Sequence, residues 1–130
     1  MATRDTYTAE VFNLLNSNPT AQNLDALVEA HVRIGYLAAD AEALYERAVD
    51  DRKYAEANAY LSAKKSGDKV SDKMAEAQAL VACRPQRDAE AEAKTRSRKL
   101  ANLLESIEQA INAIKFLGRY DGAGAIQTPR

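Results

Sequence analysis

Leu100-Ala101-Asn102-Leu103-Leu104-Glu105-Ser106-Ile107-Glu108-Gln109-Ala110-Ile111-Asn112-Ala113-Ile114-Lys115-Phe116-Leu117 is the longest window of the chain in which large apolar side chains recur at unbroken helical spacing. Leu100, Leu103, Leu104, Ile107, Ala110, Ile111, Ile114 and Leu117 fall on one face of a helix. A face this apolar requires a partner. The upstream chain supplies one, as a long alanine-rich helix that runs out and back as a hairpin, with a short N-terminal helix over its end.

A chain of 130 residues is one domain by length. It is 46% hydrophobic but only 6% aromatic, without Trp, so alanine carries much of the apolar fraction and the expectation is long helices packed closely. A formal net charge of −1 argues against a general polyanion binder and equally against an acidic DNA mimic. The one cysteine, Cys83, has no disulfide partner in the chain and offers no metal cluster, which suits a reducing compartment. The first residues lead into no apolar segment, and no window approaches the roughly 18 apolar residues of a membrane span. A soluble cytoplasmic protein without membrane contact is expected.

In chain order, Thr8 is placed to cap a short helix over 8–16, whose apolar side is Val11, Phe12, Leu14 and Leu15. Asn16-Ser17-Asn18-Pro19 ends it, Pro19 pushing Asn18 out of helical geometry. From 20 to 65 there is no Pro and one Gly, Gly35, so a single helix of roughly 65 to 70 Å is predicted. Gly35 in such a helix implies either a closely packed neighbour or a bend. Gly67 can close the helix in a left-handed conformation, and Ser71 caps the next, which spans 71–120 with a kink near 85, where Pro85 removes a donor. Gly118, Gly122, Gly124 and Pro129 mark a flexible tail over 121–130.

Folding the chain back at Gly67 pairs positions whose numbers sum to roughly 135. The alanines at 55, 59 and 63 then face Ala75, Ala77 and Ala79, while Leu24, Leu27, Val28 and Ile34 face Leu100, Leu103, Ile107 and Ile111. Small residues meet small and large meet large. Phe12 and Leu15 are expected to cap the wide end beside Ile111 and Leu117.

Arg84, Arg87, Lys94, Arg96, Arg98 and Lys99 make the return helix basic, against Asp88, Glu90 and Glu92. This is the best nucleic-acid signal in the chain. The structural reading is a solvated face answered across the hairpin by Asp40, Glu42, Glu46, Asp50 and Asp51, or along it by Glu90–Lys94 and Glu92–Arg96 pairs. Lys64, Lys65, Lys69 and Lys73 form a second basic cluster at the tip, suited to DNA, an acidic partner or simply a soluble turn. His31, the one histidine, has no second ligand for a metal, and Cys83 no partner base, so both are read as packing positions. No base, nucleophile and orienting group can be assembled, and no cofactor motif is present, so an enzyme is not expected.

Tyr60-Leu61-Ser62-Ala63-Lys64 before a Gly-containing turn, then Val70-Ser71-Asp72-Lys73 and the run from Leu100 to Glu108, resemble small helical-hairpin proteins encoded by tailed bacteriophages, often within recombination and replication gene clusters. The resemblance covers residues 38–120. It implies a coiled-coil-like accessory protein of DNA metabolism, without catalytic residues, acting in the host cytoplasm. The expected function is therefore non-enzymatic binding of nucleic acid or of a recombination or replication protein. A host-directed inhibitor or adaptor that occupies a partner surface is the alternative. Outward tyrosines on the first long helix, with Leu104 and Ile111 beside the seam, also predict a homo-oligomer, a dimer first, assembled as a helical bundle.

Overall fold

A computed structural model of the chain describes the backbone of residues 4–66 and 70–127 and the side chains of residues 6–65 and 70–118. Gly67 and Lys69 lie outside the described residues. The fold is all-α: α1 spans Arg4–Asn16, α2 Leu24–Ser66, α3 Asp72–Ala82 and α4 Arg84–Gln127. Contacts divide these helices between two units, Met1–Ala38 with Lys99–Arg130, and Ala39–Arg98.

The first unit holds α1, the start of α2 and the later part of α4. Its core is Val11, Leu27, Ala30 and Ile34 against Leu100, Leu103, Ile107 and Ile111, all buried. Each large side chain so buried contributes about 1.5–3 kcal/mol. Here α2 and α4 run antiparallel, but one helical turn from the expected register. His31 meets Glu108 rather than Leu104, and Gly35 meets Leu104 rather than Leu100. Leu104 is a bulky residue, and it settles over the one position of α2 that has no Cβ. The apolar stripe of α4 is buried as far as Ile111 and then surfaces, leaving Leu117 exposed. The helix itself continues to Gln127, through most of the stretch expected to be a tail.

α1 also differs from expectation. It begins at Arg4, so Thr8 lies a turn inside it instead of capping it. Val11, not Phe12, enters the core, and Tyr7, one turn before Val11, stacks under the Arg33 guanidinium at 3.7 Å. Past the helix end Asn18 adopts φ 55, a left-handed conformation that Asn tolerates and that lies outside the helical region the following proline disfavours. Thr20 then caps one 3-10 turn, Ala21–Asn23, before α2. The Gln22 N–H donates to Thr20 Oγ1 at 3.3 Å, while the Thr20 N–H donates to Asn23 Oδ1 at 2.9 Å, a reciprocal cap with Asn in place of the usual Glu or Gln.

The second unit pairs the rest of α2 with α3 and the beginning of α4. Its buried apolar residues are Ala41, Ala63, Ala75, Ala79 and Cys83, the small complement that the alanine stripe predicts. Ser71 caps α3 as expected, its Oγ accepting from the Met74 N–H at 3.1 Å. The break near Pro85 is one residue wide. Cys83 ends α3 with φ −100 and ψ 16, and its carbonyl accepts from the Arg87 N–H at 3.0 Å, so it starts α4 as it finishes α3. Pro85 sits in the first turn of α4, where its missing N–H would have no partner.

Candidate nucleic-acid interface

Along α4, Arg84, Arg87, Lys94 and Arg98 follow at steps of three, seven and four, which gathers them on one face of the helix. Arg84, Arg98 and the next residue, Lys99, are exposed, and Lys94 and Arg96 are half-buried. Arg87 pairs with Glu56 Oε1 at 3.1 Å, a close contact without hydrogen-bond alignment, while Arg84, Lys94, Arg98 and Lys99 take no ion-pair partner among the described residues. Arg96 has a further interaction of its own.

The acidic groups expected to answer this face do not. Asp40, Glu42, Glu46, Asp50 and Asp51 are exposed on α2 and take no ion-pair partner among the described residues. Glu90, expected to pair along the helix with Lys94, is turned inward to Arg52. Arg52 Nε donates to Glu90 Oε2 at 2.5 Å and a terminal nitrogen reaches Glu90 Oε1 at 3.4 Å, the forked geometry of a guanidinium on a carboxylate. A second branch reaches Glu56 at 3.2 Å. The Glu90 hydrogen bond holds the Arg52 guanidinium above its ordinary range, outweighing its partial desolvation. Arg52, Glu56, Arg87 and Glu90 thus form a charged layer between the helices, in a stretch of α4 from Arg84 to Arg98 that buries no apolar side chain.

At the tip, Lys64 is a clasp. Its Nζ donates to the Val70 carbonyl and to Asp72 Oδ1, both at 3.0 Å, and the Tyr60 hydroxyl donates to the same Asp72 oxygen at 2.9 Å. Those hydrogen bonds, Lys64 first and Tyr60 second, hold the Asp72 carboxyl below its usual range, and they raise Lys64 and Tyr60 in turn. Lys65 and Lys73 are exposed.

The two residues expected at an oligomer interface lie in the seam of the first unit. Ile111 is 9% exposed within the single chain, and Leu104 is half-buried over Gly35. The outward tyrosines are Tyr36 and Tyr54, whereas Tyr45 and Tyr60 are half-buried. His31 Nε2 lies 2.9 Å from Glu108 Oε1, beside an open groove of about 370 Å³ lined by Val28, Val32, Asn112 and Lys115. Cys83 is buried at the α3–α4 junction.

No known family model, curated protein or solved structure matches this chain. Among the described residues no three His, Cys, Asp or Glu side chains gather as metal ligands. No helix among the described residues is long and apolar enough to cross a membrane. What the beginning of α4 offers is a row of guanidinium and ammonium groups along one helix face, chemistry matched to phosphate oxygens. Sequence reasoning found those cations but missed Arg52, whose capture of Glu90 withdraws that carboxylate from Lys94. Its Arg52–Glu56 spacing of four was the one available signal.

Proposed function

We propose that the chain is a non-enzymatic accessory protein that binds nucleic acid through the solvent face of α4. The observation that carries this reading is that Arg84, Lys94, Arg98 and Lys99 of α4 take no ion-pair partner among the described residues, although five acidic residues of α2 are exposed and Glu90 is engaged by Arg52. A local excess of positive charge along a helix is the electrostatic footprint of a phosphate contact, and it acts over about one Debye length, so a net charge near zero does not cancel it. The resemblance to phage hairpin proteins gives the setting, beside recombination or replication proteins in the cytoplasm of a bacterial host. A homo-oligomer would extend the cationic track, and sedimentation equilibrium measures its stoichiometry.

The test is a salt series with single- and double-stranded DNA of mixed sequence. Binding weakens steeply with salt, and Arg84→Glu with Arg98→Glu flattens the log–log slope by about 0.9 per lost phosphate contact on duplex DNA. Absence of binding at low salt, or a slope untouched by the substitutions, would overturn the reading.

A further inference from the structure

α3 is apolar on two opposite faces. Ala75 and Ala79, with Cys83 at the helix end, are buried against α2. The other face carries Met74, Ala77 and Val81, and on it Met74 is 54% and Val81 77% exposed. At its edge Leu80 lines an open groove of about 430 Å³ with Ala57 and Tyr60 of α2. Scattered exposed apolar residues are ordinary, but a helix of 11 residues with stripes on both sides has the pattern of one held between two neighbours. α2 supplies one neighbour.

The charges framing the second stripe specify the other. Lys73 stands at its beginning and Arg84 just past its end, both exposed and without an ion-pair partner among the described residues. Asp72 is already engaged by Lys64 and Tyr60, and Glu76 lies on the groove side toward α2. Among the described residues, the unengaged charges at the two ends of this stripe, Lys73 and Arg84, are both cationic. A second copy of the same face is disfavoured in either two-fold arrangement: antiparallel pairing brings Lys73 against Arg84, and parallel pairing brings each against itself.

We propose that the outward face of α3 docks an amphipathic helix of another protein, whose apolar stripe is flanked by acidic residues spaced as Lys73 and Arg84 are. Met74 and Val81 are the anchors, two helical turns apart, and the rim charges set orientation and partner choice.

The experiment uses the full chain and two synthetic helical peptides of about 18 residues. Both share one Leu and Ala stripe, and they differ in carrying Glu or Lys at two flanking positions about eleven residues apart. Fluorescence anisotropy is expected to give about tenfold tighter binding of the Glu peptide. Met74→Glu with Val81→Glu abolishes that binding, at unchanged circular dichroism. Lys73→Glu with Arg84→Glu, which leaves the apolar stripe intact, reverses the preference to the Lys peptide. Equal binding of the two peptides, binding of neither, or binding indifferent to Met74 and Val81 overturns the proposal. So does concentration-dependent self-association removed by Val81→Glu, which would assign the face to a second copy. Attachment of the chain through Met74 and Val81 to phosphatidylglycerol vesicles, without discrimination between the peptides, would assign it to a lipid surface and overturn it equally.

Discussion

Leu104 lies directly over Gly35, its Cδ1 3.9 Å from the place where a Cβ on that glycine would stand. That is ordinary van der Waals separation, so the close approach leaves room for a methyl group. Gly35→Ala is therefore expected to stabilise the chain by about 0.5–1 kcal/mol, because alanine loses less backbone freedom in a helix. Chemical denaturation with an unchanged m-value measures it. A destabilised variant would show that Leu104 cannot yield even to ordinary contact.

Arg52 and Glu90 are coupled across the helix pair, and removing one leaves the other partly desolvated without its counter-charge. Arg52→Ala and Glu90→Ala each lower the thermal midpoint, and the double variant loses less than the sum of the two. Leu at both positions is expected to be at least as stable as either single variant, since an apolar layer there would continue the burial of Ala41 and Ala63. Strict additivity in the double-mutant cycle would refute the coupling.

The clasp at the tip responds to pH. Hydrogen bonds from Lys64 and Tyr60 place the folded-state value of Asp72 below its unfolded one, so its contribution to stability is complete above the ordinary carboxylate range. It is lost as pH falls through the folded value. Lys64 and Tyr60 are raised, so theirs is present below their ordinary values and fades as pH rises through the folded ones. The gap in thermal midpoint between the wild-type chain and Asp72→Asn is thus expected at neutral pH and should close as pH falls below the ordinary carboxylate range and through the lowered folded-state value. A gap that persists unchanged to the acid limit would show that Asp72 acts by shape alone.

The helices and the calibre of their contacts can be read from the order of the residues alone. The stripe from Leu100 to Ile111, the alanines facing Ala75 and Ala79, the Ser71 cap and the break beside Pro85 were legible because each depends on spacing or on the chemistry of neighbours in the chain. Tertiary structure decided which residue opposes which. A slide of one helical turn preserves an apolar stripe almost unchanged, so periodicity cannot distinguish Leu104 over Gly35 from Leu100 over Gly35. It likewise cannot tell whether Val11 or Phe12 enters the core, since that follows from how far α1 extends and how it is rotated. Charge pairing is the most sensitive of all. A salt bridge requires atoms within 4 Å, less than the 5.4 Å rise of one helical turn, so the register that carries Arg52 to Glu90 also leaves Asp40, Glu42, Glu46, Asp50 and Asp51 exposed and Arg84, Lys94, Arg98 and Lys99 without an ion-pair partner among the described residues.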